Sequence, residues 1–369
     1  MNVITGIGLV SALGLDSSTS LAAARAGLSR SKTLRTINAA REDFLGGSPV
    51  AGHSVACGLA DGFVGRPKAL IMGRAALADL AASATVGTLG RVGLYVVLSD
   101  YFLMDETRGD DSLAIEPRPA ESFGTIWRRT TSGFVEELTA SGPLSSAAKR
   151  RVYYGGHAKI ARAVLDAQAD LASRAVDACV IGAIDSCVEP RVLRAAALAA
   201  LLKTEAEATG FSPGEGAAFF LLQRESDSAD RPLRVAIDAV ATAKDENHSL
   251  AERPPMGVGL ASAVEQCLGS VGADAHAEIG VVVSDLNGAE RRAVEWGYCL
   301  VRLQPRHPLG HARVWLPAMS FGETGCAAGP IAVCTAVRGL NRGYAGTERI
   351  AVVLSSDSGD KAALCLRAQ

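Results

Sequence analysis

An α/β fold with mainly parallel sheets is what this sequence predicts, on three observations. Short β-rich apolar runs alternate with Ala-rich helical stretches along the whole chain, the arrangement that packs a parallel sheet between helices. Of its 369 residues 48% are hydrophobic and 21% charged, so a large core can be buried and a disordered chain is excluded. The length also exceeds the roughly 250 to 300 residues at which a single core stops growing, so two halves sharing an interface are expected.

The candidate buried strands, in order, are Val3–Gly6, Val92–Ser99, Ala178–Asp185, Ala217–Gln223, Arg234–Ala241, Ile279–Leu286, Ile350–Ser355 and Ala362–Leu366. The clearest helix runs from about His157 to Arg174, because Ile160, Ala163, Val164, Ala167 and Leu171 recur at helical spacing and make a one-sided apolar stripe. Thr5-Gly6-Ile7-Gly8 is read as a strand end where two glycines turn the chain past other backbone. The polar run Arg224 to Pro232 marks the boundary between an N-terminal half, 1–224, and a C-terminal half, 233–369. Residues from about 100 to 146 hold turn formers and few apolar runs, and are expected to cap one face of the first half.

The formal net charge is -2, from 37 basic and 39 acidic residues without long like-charge runs, which gives no reason to expect nucleic acid or an anionic membrane as partner. The eight cysteines are scattered and show no metal-ligand spacing. His307 and His311 stand four apart, but Pro308 and Gly310 between them argue against a shared helix face, so no metal and no other cofactor is expected. The chain enters its first strand at Val3 without a targeting pattern and offers no spanning run of about eighteen uncharged residues, so a cytoplasmic protein is expected.

Three segments carry a resemblance: Val3 to Gly14 (Val-Ile-Thr-Gly-Ile-Gly-Leu-Val-Ser-Ala-Leu-Gly), Gly210 to Ala218 (Gly-Phe-Ser-Pro-Gly-Glu-Gly-Ala-Ala) and Gly322 to Gly329 (Gly-Glu-Thr-Gly-Cys-Ala-Ala-Gly). In order and approximate spacing they resemble the signature segments of β-ketoacyl synthases. The resemblance implies the thiolase fold, two similar halves each with a mixed, mainly parallel sheet packed between helices. It also implies a cysteine nucleophile and two histidines, and here those places are read as Val152, Asn287 and Glu323. A thiol at a helix N-terminus is stabilised as thiolate, attacks a thioester and stores the acyl group, none of which a valine can do. Asn287, before Gly288, can still donate a hydrogen bond to a thioester oxygen. A carboxylate at Glu323 opposes both a malonyl carboxylate and a developing oxyanion. His157 is read as a buried structural residue with a hydrogen-bond partner, and Cys326 as a displaced nucleophile with Glu323 as base or, equally, a small residue in a close helix contact.

The resulting expectation is a non-catalytic ketosynthase-like protein, a pseudoenzyme acting by binding. It resembles ketosynthase-like proteins encoded near type VI secretion effectors, which implies an adaptor role in effector handling. The alternatives are a chain-length-factor-like partner subunit of an active β-ketoacyl synthase, with an acyl carrier protein as neighbour, and an acyl transferase or hydrolase rebuilt around Glu323, Asn287 or Cys326. A homodimer or heterodimer is expected, paired through an edge strand of the first half.

Overall fold

The structure is a computed structural model that describes residues 1–34, 49–84, 86, 89–99, 133–140, 142, 144–205, 207–248, 253–271, 279–307 and 309–369. Most of the expected cap, 100–132, lies outside them. The chain begins with β1 (Asn2–Val10), α1 (Ser17–Arg25), β2 (Lys32–Thr33), β3 (Ala51–Gly52), α2 (Gly65–Ser83) and β4 (Val92–Leu98). It continues with α3 (Phe134–Leu138), β5 (Lys149–Tyr154), α4 (Lys159–Ala172), β6 (Ala178–Ser186), α5 (Pro190–Leu198) and β7 (Glu215–Arg224). Then follow β8 (Val235–Lys244), α6 (Val258–Gly269), β9 (Ile279–Ser284), α7 (Glu290–Leu303) and β10 (Arg313–Trp315). The last elements are α8 (Ala318–Phe321), α9 (Ala328–Asn341), β11 (Arg349–Ser355) and β12 (Asp360–Ala368).

Ten strands form one mixed sheet in the order β10-β9-β11-β12-β8-β1-β7-β6-β4-β5. Its two five-strand sets share one plan. In the first, β1 pairs antiparallel with β7, β7 antiparallel with β6, β6 parallel with β4 and β4 parallel with β5. In the second, β8, β12, β11, β9 and β10 repeat those four senses in the same order. The sets meet where Asn2–Ile4 of β1 pairs antiparallel with Val235–Ile237 of β8.

Side-chain alternation on the strands divides the core into three layers. Ile4, Val97, Ile181 and Phe220 from one set and Val281, Val352 and Leu364 from the other close on Ile160 and Val164 of α4 and Ile331 and Val337 of α9. On the outer face of the first set, Val96, Val180 and Phe219 pack on Met72, Ala76 and Leu80 of α2. On the outer face of the second, Val282, Val353 and Cys365 pack on α6 and on Trp296, Cys299 and Leu303 of α7. The α/β class is as expected, with five layers running helix, sheet, helix, sheet, helix.

Two readings need correction. β1 does not end at the glycine pair but runs on to Val10, and the glycines serve its face rather than a turn. A Cβ on Gly8 would lie 2.2 Å from the Ala76 carbonyl, so α2 can press onto the strand only because the side chain is missing. β5 and β10 were not expected. They are the outermost strands of the two sets, where half of each strand needs no apolar cover, and Lys149-Arg150-Arg151 in β5 gives little hydrophobic signal.

Candidate reaction centre

The turns at the ends of α4, β9, α9 and β11 converge on a buried cluster centred on His157. His157 precedes α4, is 4% exposed, and donates from both ring nitrogens: Nδ1 to Asp285 Oδ2 and Nε2 to Glu323 Oε1, each at 2.7 Å. Asp285 Oδ2 also accepts from the Ser355 backbone N–H at 2.7 Å and from Arg292 at 3.2 Å. Arg292, projecting inward from α7, donates further to the Ser355 carbonyl at 2.6 Å and to Asp357 at 2.8 Å. Glu323 Oε1 accepts from the Gly325 N–H at 2.7 Å, and its Oε2 from the Asn287 side-chain amide at 2.5 Å.

Burial alone would lower the His157 pKa, but the charges of Glu323 and Asp285 outweigh it and the repulsion of Arg292, so the imidazole is pushed up to about 10 and carries a proton at neutral pH. Burial would likewise raise both carboxyls, yet their bonds to His157 and the Arg292 charge hold them below the ordinary carboxylate range. Two buried cations thus face two buried anions with their hydrogen-bonding positions filled, the condition under which buried charge is tolerated.

The local sequence explains the convergence. Gly-Phe-Ser-Pro-Gly-Glu-Gly forms a turn that docks edgewise on the Glu323 turn: the Glu323 N–H donates to the Ser212 carbonyl and the Gly214 N–H to the Glu323 carbonyl, both at 2.7 Å. A Cβ on Gly214 would sit 2.2 Å from the Phe321 carbonyl, so this approach requires glycine. Glu215 of the same motif is buried with Lys68 at 2.9 Å and accepts from the Ser186 hydroxyl at 2.7 Å and the Val55 N–H at 3.0 Å, which ties β7 to α2. At the far end, Gly329 lets α9 abut the start of α4, where a Cβ would lie 2.4 Å from the His157 carbonyl. The Ser356 hydroxyl accepts the Ala158 N–H at 3.0 Å and so occupies the entry of α4, the place where a helix dipole would favour an anion.

The structure brings Asn287 and Glu323 together but leaves Val152 apart. Val152 lies inside β5, opposite Val96, and packs with the core on the outer face of the first strand set rather than between the sets. It is therefore not at a helix N-terminus, the setting that thiolate chemistry needs, whereas His157 is next to one. The strand that holds Val152 was not revealed by the sequence.

Cys326 is 1% exposed and its thiol points toward the Ile184 and Val97 carbonyls at 3.5 and 3.6 Å. The Glu323 oxygens are taken by His157, Gly325 and Asn287, so Glu323 is not free to act as base for that thiol. Its backbone N–H donates to Asp185 at 2.8 Å, and burial pushes the Asp185 carboxyl up to about 6 despite this bond and those from Ser99 and Ser186. β11, β12 and α7 add a second buried set, in which Lys361 lies 2.6 Å from Glu295 and donates to the Ser355 hydroxyl at 2.6 Å. Sequence reading missed Asp285, Arg292 and Lys361; the available signal was a charged residue directly after the apolar run of β9 and at otherwise inward-facing positions of α7 and β12.

A cavity of about 10 Å³ lies beside Glu323, lined by Asp285, Pro317, Phe321, Gly322, Thr324 and Ile331, with room for one water and none for an acyl chain. Among the described residues no group of three or more metal-ligating side chains occurs, and no helix is long and apolar enough to cross a membrane.

No protein-family model matches the chain, and no curated protein matches it by sequence. Its fold matches solved ketosynthases over the whole of this chain. A type II polyketide acyl carrier protein complex with its ketosynthase gives a TM-score of 0.76 at 13% identity, covering 100% of this chain and 99% of the other. The ishigamide ketosynthase/chain length factor gives 0.75 at 15% identity, covering 100% and 99%. The ketosynthase ApeO with its chain length factor ApeC from Xenorhabdus doucetiae gives 0.71 at 15%, covering 100% and 98%. The fold and layering are those of the thiolase-fold ketosynthases.

Proposed function

We propose that this chain is a ketosynthase-like protein without condensing chemistry, and that it acts as a partner subunit, in the manner of a chain length factor, within an assembly whose catalytic residues lie on another chain. The observation that carries this reading is the closed His157 cluster. Condensation needs a thiolate, two groups that polarise thioester oxygens and space for the acyl chain. In this reading His157 stands in the place of the nucleophile, and it is an imidazolium with both nitrogens engaged. Such a group can neither take a proton nor attack a carbonyl. Asn287, which could have polarised an oxygen, spends its amide on Glu323. The similar solved structures include ketosynthases bound to a chain length factor or to a carrier protein, which favours a protein partner. An adaptor for a secreted effector is the other form of the same binding role.

Incubation with malonyl and acyl thioesters of coenzyme A or carrier protein, read by intact-protein mass, is expected to give no acyl adduct and no condensation product. Affinity capture from the native host is expected to recover a catalytic ketosynthase or carrier protein. A covalent acyl adduct removes the non-catalytic reading. Recovery of secretion components instead of a synthase moves the protein to the adaptor role.

A further inference from the structure

His53 stands outside the cluster around His157 and packs against the turn that supplies Glu323. It is 3% exposed. The Ser320 carbonyl accepts a hydrogen bond from its ring, while Nδ1, fully buried, has no hydrogen-bond partner among the described residues. The contact with the turn is close: a Cβ on Gly322 would lie 2.7 Å from His53 Cδ2, so the ring fills the room that the glycine leaves. A buried polar atom without a partner is uncommon in a folded chain and calls for a reason. A neutral imidazole supplies one, because it donates through one nitrogen and leaves only a lone pair at the other.

The backbone makes His53 the outer rung of a ladder that ends at Glu323. Its N–H donates to the Pro213 carbonyl at 2.7 Å and its carbonyl accepts from the Glu215 N–H at 3.1 Å. Pro213 in turn bridges in parallel to Glu323. Two more bonds hold residues 51–56 in place, from the Ser212 hydroxyl to the Ala51 carbonyl at 2.8 Å and from the Val55 N–H to Glu215 at 3.0 Å. The ionisable groups on the surrounding elements are all engaged elsewhere. Lys68 takes Glu215 at 2.9 Å and Glu189 at 3.4 Å, and Glu323 is bound to His157 and Asn287. At the end of β6, Asp185 accepts from Ser99 and the Cys326 N–H, and burial keeps the Cys187 thiol protonated. Burial also lowers the His53 pKa from its ordinary 6.5, against the smaller effect of the Ser320 bond. A proton on Nδ1 would be an uncompensated buried charge with its N–H unmet unless the segment moved.

We propose that His53 is a proton-operated latch on the Glu323 turn: neutral, it docks residues 51–56 against that turn, and on protonation in mildly acidic solution the segment lifts and the turn loosens. Docking is at full strength above pH 6.5 and weakens as the pH falls below it, because the lifted segment takes up a proton that the docked one resists. Hydrogen exchange of the full chain, read by mass spectrometry and corrected for the intrinsic pH dependence of exchange, measures the opening between about pH 7.5 and about pH 5.5. Protection of peptides covering His53 to Val55 and Phe321 to Glu323 should fall by up to about tenfold per pH unit in the acidic part of that range, relative to peptides of β4 and β6. His53→Gln keeps a donor for the Ser320 carbonyl and cannot charge, so its protection should lose this decline. His157 stays charged and Asp185 gains a proton in both proteins, so the difference between them isolates His53. Nitrogen-15 spectra of the histidine rings give a second reading on the unmutated chain: His53 should be neutral at neutral pH, with its proton on Nε2. A wild-type protection that stays flat, a decline that persists undiminished in His53→Gln, or a His53 ring charged at neutral pH overturns the proposal.

Discussion

Replacing Glu323 by glutamine tests whether the cluster around His157 is held by charge. The imidazole stands at about 10 in the folded protein against an ordinary 6.5. Each pH unit of such separation is worth about 1.4 kcal/mol, so the protonated His157 contributes up to roughly 5 kcal/mol to folding. Because the folded pKa is the higher one, this contribution is complete below pH 6.5 and is lost as the pH rises toward about 10. Asp285 and Glu323, held low, act in the opposite direction: their contribution is present above the ordinary carboxylate range and is lost as the pH falls through their folded values.

Stability from the cluster therefore peaks in mildly acidic solution, and its alkaline decline follows a slope of about 1.4 kcal/mol per pH unit. Glutamine keeps the shape of Glu323 but removes the larger of the attractions on His157. Its direct cost is roughly 3 to 5 kcal/mol near neutral pH, and the alkaline decline should begin from this lower level and end at a lower pH. Urea unfolding followed by circular dichroism between about pH 6 and pH 9 measures both quantities. Wild-type and Glu323→Gln curves that stay parallel across that range would show that Glu323 does not hold the proton on His157.

Three further outcomes follow from the packing and the ion pairs. Gly214→Ala should destabilise the protein by about 1 to 3 kcal/mol, seen as a lowered melting temperature, because the new Cβ must displace the Phe321 carbonyl and with it the Glu323 turn. Lys361→Ala should cost roughly 3 to 5 kcal/mol, because it strands the buried Glu295 carboxylate. Arg91→Ala, which breaks the more exposed pair with Asp177, should lower stability least of the three in the same denaturation assay.

How much could be read beforehand depended on how local the signal was. All eight strands expected from apolar runs exist, and the helix expected from His157 to Arg174 is α4, Lys159–Ala172. Burial on both faces makes an inner strand a continuous run of Val, Ile, Leu, Phe and Ala, which is visible without any neighbour. The edge strands β5 and β10 lacked that run, and Val152, read as the nucleophile's place, lies within β5. His157 was legible as a buried, hydrogen-bonded histidine. That its partners are Asp285 and Glu323, which lie 128 and 166 residues further along the chain, was not.

The sequence by itself determined the α/β class, the thiolase-fold resemblance, and an asparagine and a glutamate beside the glycines of two late turns, because residue identity and short-range periodicity need no partner to be read. Only the tertiary structure decided that Asn287 and Glu323 are part of a closed ion cluster around His157. Contacts between residues far apart in the chain are set by how the five layers stack. The charge state of His157 is a property of those contacts: burial would discharge an isolated imidazole, and the two carboxylates that the fold brings to within 2.7 Å keep it charged.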